Sequence, residues 1–304
     1  LKGEKNMKKF TAAVTALTLA LGSVPVLTAS ADSDSNYSPS LYFKAYESDN
    51  YQILPNGTVY VRLDKDTNAI TSVNAGVYIK DDMKQAGHII VKWKCTSNLI
   101  TLSGLTDPVT VYGKSPYNEF SASGSIRLSS DAENNSQSVS YALGMNIDPF
   151  TVSGTASDDY PLAVFDADIN PNIAAGMYTI DFMTEEISNL CDILYKYGDT
   201  ENVKEFFPSG NNAPSLRINV SDRKLGDINN DGAIDPSDAT LALREYTLLS
   251  SNMTGELSPE ENAAADVDGD GKVSPSDATI ILRYYTYVMS NGDKDFITFL
   301  NTEM

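Results

Sequence analysis

A 19-residue segment occurs twice near the C-terminus. Gly-Asp-Ile-Asn-Asn-Asp-Gly-Ala-Ile-Asp-Pro-Ser-Asp-Ala-Thr-Leu-Ala-Leu-Arg, from Gly226 to Arg244, recurs 39 positions on as Ala-Asp-Val-Asp-Gly-Asp-Gly-Lys-Val-Ser-Pro-Ser-Asp-Ala-Thr-Ile-Ile-Leu-Arg, from Ala265 to Arg283. A two-copy repeat means two copies of one supersecondary unit packed on each other. Each copy opens acidic and glycine-bearing and closes apolar at helical spacing, so each reads as a loop followed by a helix.

The loops have the order of a hard-cation site. A 12-residue EF-hand-type loop supplies oxygens from positions 1, 3, 5, 7, 9 and 12, with glycine at 6 for the sharp turn. The first copy offers Asp227, Asn229, Asp231, the carbonyl of Ala233, Asp235 and Asp238 around Gly232. The second offers Asp266, Asp268, Asp270, the carbonyl of Lys272, Ser274 and Asp277 around Gly271. Four carboxylates in each loop repel one another unless a divalent ion lies between them, so two calcium ions are expected, with binding coupled to folding. Aspartate rather than glutamate ends each loop, and no clear amphipathic helix precedes the first. Both points argue against a Met-rich calcium sensor.

Asp-x-Asn-x-Asp-Gly followed by Asp238, its duplicate, and the Leu-Arg near the end of each copy resemble the dockerin repeats of cellulosome proteins over about Leu225 to Leu300. The resemblance implies docking to a cohesin of a larger scaffoldin through the helices that follow the loops. Helical spacing gives an outward stripe of Ser237, Thr240, Leu241 and Arg244 on the first helix. On the second it gives Ser276, Thr279, Ile280, Arg283 and Tyr287, opposite an inward stripe of Ala278, Ile281, Leu282, Tyr285, Val288 and Met289. Equivalent residues on two faces allow two docking orientations, with the second helix expected to dominate because Tyr284 stands where the first repeat has Glu245. The spacer between the copies is longer than in the usual dockerin and contains Ser258-Pro259-Glu260-Glu261, a capped helix start.

The rest of the chain has another texture. Lys8 and Lys9, an apolar run from Phe10 to Leu27 and the small-residue pattern Ala29-Ser30-Ala31 make residues 1–31 an expected signal peptide, followed by a soluble secreted chain with no membrane partner. Residues 32–220 show period-two alternation: Val59-Val61-Leu63, Val73-Ala75-Val77-Ile79, Ile89-Val91-Trp93-Cys95, Tyr141-Leu143-Met145-Ile147, Tyr178-Ile180-Phe182 and Leu216-Ile218-Val220. Turn chemistry at Pro55-Asn56-Gly57, Asp107-Pro108, Ser115-Pro116, Asp148-Pro149 and Asn170-Pro171 separates the runs, as in an all-β sandwich. Ile187, Leu190, Cys191, Leu194 and Tyr195 repeat at helical spacing and predict an inserted helix. The expected fold is thus a mainly β sandwich over 32–220 followed by a small all-α duplicated EF-hand-type region over 221–304.

Pro55-Asn56-Gly57-Thr58-Val59-Tyr60-Val61, the run from Ile169 to Phe182 with its Gly-x-Tyr-x-Ile, and the closing strand Ser215 to Val220 resemble cohesin strands. The resemblance implies a cohesin-like jelly roll that receives a dockerin-bearing partner. A chain with both modules resembles an adaptor scaffoldin, extracellular and cellulosome-associated. Two other classes stay open. A carbohydrate-binding sandwich would use a planar aromatic row, for which Tyr42, Tyr46, Tyr51, Tyr60, Tyr78, Tyr112 and Tyr117 are available, whereas Trp93 lies on a strand's apolar face. A polysaccharide-degrading enzyme would need paired acids such as Asp158 and Asp159 or Asp166 and Asp168, which read more simply as turn or surface residues. No catalytic residues and no cofactor other than calcium are expected. One histidine, His88, offers no His-based cluster, and Cys95 and Cys191 read either as a disulfide or as buried thiols. Net charge is -19, and residues 225–304 hold 15 acidic against 4 basic side chains, which argues against nucleic-acid partners.

Overall fold

The computed structural model describes residues 40–80, 86–106, 125–131, 136–144, 161–184, 191–196, 203–206 and 213–304. The expected signal peptide, Tyr112, Tyr117, Asp158 and Asp159 lie outside them. The alternating runs build two sheets. One has the order β1 (Ser40–Ala45), β4 (Thr71–Lys80), β9 (Ala163–Ile169), β6 (Ile100–Thr106). The other runs β12 (Val203–Phe206), β11 (Asp192–Lys196), β5 (Ala86–Cys95), β10 (Gly176–Phe182), β13 (Leu216–Ser221), β3 (Val59–Arg62), β2 (Gln52–Ile53), with β8 (Ser136–Gly144) also on β5 and β7 (Ser125–Asp131) on β8. The β13–β3 pair is parallel, and the other described pairs are antiparallel.

Alternate residues of both sheets meet in one core. Leu41, Val73, Val77 and Phe165 of the first sheet join Val91, Trp93, Ile180 and Ile218 of the second. Phe43 stacks on Phe182 with centroids 4.0 Å apart, and Trp93 tilts against Phe165 at 5.6 Å. Each such side chain removed from water stabilises the fold by about 1.5–3 kcal/mol. Cys95 and Cys191 are both buried and no disulfide joins them. The Cys191 sulfur lies 3.3 Å from both the amide nitrogen and the carbonyl of Lys92.

The inserted helix is not formed where its C-terminal half is described. Asp192 to Lys196 is β11, whose residues Asp192, Ile193 and Leu194 pair with Ile90, Ile89 and His88 while Ile193 to Lys196 pair with Phe206 to Val203. Ladder bonds on both sides satisfy the backbone more fully than a short exposed helix would, and a brief apolar run fits either period. Ile187 and Leu190 lie outside the described residues.

The C-terminal region is helical: α1 (Pro236–Ser250), α2 (Pro259–Ala265), α3 (Pro275–Met289) and α4 (Phe296–Glu303). Asp235, Ser258 and Ser274 cap the first three, each in a reciprocal capping box with proline in the first turn. The long spacer therefore contains a helix, as Ser258-Pro259 predicts.

Where sandwich and helices meet, the outward residues of two strands are not in water. Val59 and Val61 face the sandwich core, whereas Tyr60 between them belongs to the core of the helical region together with Leu54. The Tyr60 hydroxyl donates to the Arg223 carbonyl at 3.0 Å. Asn219 donates to the Ala263 carbonyl at 2.9 Å, and Ser221 to the Glu260 carbonyl at 3.0 Å, both reaching α2. Asn219 and Ser221 are buried. Asn219→Ala orphans a buried carbonyl, so a loss of about 1–3 kcal/mol is expected in denaturant unfolding. An unchanged midpoint would show the seam to be idle.

Candidate functional site

The two loops fold the same way for local reasons. Asp227 accepts from the amides of Asp231 and Gly232 at 3.0 Å, and Asp266 accepts from the Gly271 amide at the same distance. At the far end Asp238 accepts from Ile228 and Asp235, as Asp277 does from Val267 and Ser274, at 2.8–2.9 Å. The first and last acids of each loop are thus drawn together by backbone amides. Gly232 and Gly271 sit at φ +93 and +90, where other residues are strained.

Burial differs along the loops. Asp238 and Asp277 have no exposed surface, Asp227 and Asp266 almost none, and Asn229, Asp231, Ala233, Asp270 and Lys272 are exposed. Asp235, Asp268 and Ser274 are half-buried. Oxygens of Asp266, Asp268 and Asp270 lie within 4.8 Å of one another. Burial, with the charge of Asp277, pushes Asp266 up to about 7; burial, with the charge of Asp268, pushes Asp277 up to about 6. Asp238 is also raised, chiefly by burial.

One atom tests the fit to a cation: Asp266 Oδ1 is buried with no hydrogen-bond partner. A buried carboxylate oxygen without a donor is costly, and an all-oxygen donor set is what calcium takes. The residues present fit the ion.

Ser237, Thr240, Arg244, Ser276, Thr279 and Arg283 are exposed on α1 and α3, as their spacing predicts. Arg244 pairs with Glu256 at 2.5 Å, and Arg283 donates to the Glu303 carbonyl at 3.0 Å. Ile280 departs from the predicted docking stripe. It is buried in the core that includes Leu54, Phe299 and Leu300, because the chain beyond the repeat folds back as α4 and covers that side of α3. Phe299 there packs 5.4 Å from Tyr284 and 5.2 Å from Tyr287, which is half-buried. Leu241 is half-buried too. Conversely Leu282, Val288 and Met289, assigned inward, are exposed, while Ala278 and Ile281 are buried and Tyr285 half-buried as expected. Leu243 and Leu282, 41% and 40% exposed at equivalent repeat positions, flank the arginines and were not foreseen as surface. Their shared place beside Arg244 and Arg283 was the available signal.

Residues 225–285 match the dockerin type I domain. No curated protein matches the chain. Solved structures similar to it include a cohesin–dockerin complex of Clostridium thermocellum, Coh-OlpA-Doc918, at 10% identity and TM-score 0.33, covering 59% of this chain and 98% of that one. A type III cohesin module of the cell-surface anchoring scaffoldin ScaE of Ruminococcus flavefaciens matches at 9% identity and TM-score 0.33, covering 66% and 97%. The seventh ScaB type I cohesin of Pseudobacteroides cellulosolvens matches at 9% and 0.32, covering 59% and 92%.

The other candidates fare differently. Tyr51, Tyr60 and Tyr78 are buried and Tyr42 stacks on Tyr78 at 5.3 Å, so the described tyrosines do not form an exposed row. Asp166 accepts from Asn74 at 2.7 Å, and Asp168 from Ser72 and from Ser103, the latter at 2.6 Å. Both acids are tied to side chains of flanking strands. Among the described residues no helix is long and apolar enough to cross a membrane.

Proposed function

We propose that this chain is a secreted, non-catalytic assembly protein of a cellulosome. Its dockerin binds a cohesin of a larger scaffoldin in a calcium-dependent way, and its sandwich receives a dockerin-bearing partner. The observation that carries the reading is the dockerin match over 225–285, with every ligand position and the turn glycine present in each loop. Two ions would be held by Asp227, Asn229, Asp231, the Ala233 carbonyl, Asp235 and Asp238, and by Asp266, Asp268, Asp270, the Lys272 carbonyl, Ser274 and Asp277. Bound calcium fixes each loop, and with it the angle at which α1 and α3 present Ser237, Thr240, Leu243 and Arg244, and Ser276, Thr279, Leu282 and Arg283.

For the sandwich, support comes from where the cohesin-resembling segments fall. Thr58 to Val61 enters β3, Gly176 to Phe182 is β10 and Leu216 to Val220 is β13, and these three strands are neighbours in one sheet. An outward signal would place the protein in the oxidising exterior, where its dockerin meets a scaffold.

The test is binding of the whole chain to a panel of cohesins with calcium and with chelator, and separately to dockerins, cellulose and xylan. Calcium-dependent capture of a cohesin is expected, abolished by Asp227→Ala with Asp266→Ala, together with capture of a dockerin. Retention on polysaccharide without any dockerin would favour the carbohydrate-binding alternative for the sandwich. Cohesin binding that persists in chelator would refute the calcium-dependent docking.

A further inference from the structure

The two loops, alike in sequence, are held unequally. The fourth position of the second loop is Gly269, whose carbonyl accepts from Thr58 Oγ1 at 2.9 Å in a buried contact and from Arg217 Nη1 at 3.4 Å. Gly269 has φ +70, and a Cβ there would lie 2.8 Å from Leu54 Cδ1 and 2.9 Å from Thr58 Cβ. The loop backbone thus rests against the turn before β3. Three residues before Asp266, the Ala263 carbonyl is held by Asn219 of β13. Sandwich residues therefore grip the chain on both sides of the first ligand of this loop.

The first loop has Asn230 at the fourth position, at φ +58 and exposed. Its supports lie elsewhere: the Arg223 guanidinium on the Ile228 carbonyl, and the Phe296 ring beside Gly226. Asn229, Asn230, Asp231 and Gly232 face solvent. The buried oxygen without a donor, Asp266 Oδ1, is in the gripped loop.

We infer that the β-sandwich is an outer support of the second calcium loop, which makes the two loops unequal sites and makes the second ion a fastener between dockerin and sandwich. The inference rests on the calcium reading above. A loop already held in its ion-binding shape loses less conformational freedom on binding, so its ion binds more tightly. Coupling is reciprocal: whatever the sandwich adds to ion affinity at the second loop, the ion adds to the stability of the sandwich contact. The ordinary expectation for a repeat, two equivalent ions on a module independent of its neighbour, does not hold here.

The experiment uses the whole chain and two readouts: calcium titration by calorimetry, and the melt of Trp93 emission. Trp93 is the chain's only tryptophan and is fully buried in the sandwich core, so its emission follows that part alone. Gly269→Asn installs the residue that the first loop already uses at left-handed φ, adding little backbone strain while pushing the loop off Leu54 and Thr58. Thr58→Val removes the donor while keeping the shape, and serves if the first variant folds poorly. Wild type is expected to bind two ions with unequal affinity. Each variant should weaken the tighter event by about tenfold and leave the weaker within about twofold, the size of one orphaned buried carbonyl. Calcium should raise the Trp93 melt in wild type and in Asp227→Ala, and not in Asp266→Ala. Two ions bound with equal affinity, indifferent to both variants, would overturn the inference and leave the docking reading intact, as would a Trp93 melt that ignores calcium while two ions bind. No calcium heat at all would overturn both.

Discussion

Chelation of calcium is expected to lower the melting temperature of the helical region by about 15 °C or more and to abolish its helical circular dichroism near physiological temperature. Each ion held at a thousandfold excess over its dissociation constant adds about 4 kcal/mol to the folded state. At about 2–4 °C per kcal/mol for a chain of this size, two ions account for that shift. The empty loops also predict the pH dependence. Burial raises Asp266 to about 7 and Asp277 to about 6, above the ordinary 3.8, so the folded chain without metal favours their neutral forms. A group raised in the folded state contributes stability that is whole below its unfolded value and lost as pH rises through the folded one. Chelated protein should therefore melt higher at about pH 5 than at about pH 7.5, with Asp266 alone worth on the order of 2.5 kcal/mol across that window, since only the roughly two pH units between 5 and its folded value contribute at about 1.36 kcal/mol each. In calcium the slope should reverse, because protons compete with the ion for the same oxygens. A chelated melt that rises from pH 5 to 7.5 would contradict this account.

The loops were legible because everything they need is local. Ligand positions, the left-handed glycines and the capping boxes all lie within twelve residues, and the repeat states them twice. The strand alternation was legible too, since β3, β4, β5, β10 and β13 fall on the runs read as strands. What sequence left hidden is contact between distant segments. Tyr60 reads as an outward residue of its strand, yet its partner Arg223 lies 163 positions away. Asn219 and Ser221 look like surface polars and are buried by α2. The segment Asp192–Lys196 has helical spacing, but its backbone pairs with β5 and β12, a choice that only the assembled sheet makes. Ile280 and Leu282 exchanged their expected roles for a similar reason. A stripe drawn on one helix takes no account of α4, whose Phe296, Phe299 and Leu300 bury the side of α3 that the stripe left in water.

Reversing charge on one docking helix should cost little, and on both should abolish cohesin binding. Ser237, Thr240, Leu243 and Arg244 on α1 match Ser276, Thr279, Leu282 and Arg283 on α3 in residue class and in exposure. The asymmetry that sequence offered for a dominant second helix, Glu245 against Tyr284, is largely withdrawn from the surface, Glu245 being buried and Tyr284 half-buried. Glu245 accepts from the Glu256 amide at 2.7 Å, and Tyr284 packs 4.9 Å from Phe296. With chemistry so alike on the exposed faces, a half-turn of the module presents a second copy of the same surface to the partner. Thr240→Asp with Arg244→Glu then removes one of two orientations, a loss of about twofold, and Thr279→Asp with Arg283→Glu does the same. All four together leave no intact face, and with central arginines worth about 2 kcal/mol or more when lost, affinity should fall by at least ~100-fold. The measurement is calorimetric titration of one cohesin into the three variants, with circular dichroism in calcium confirming that each is folded. A loss of ~100-fold from either pair alone would mean that one helix carries the docking.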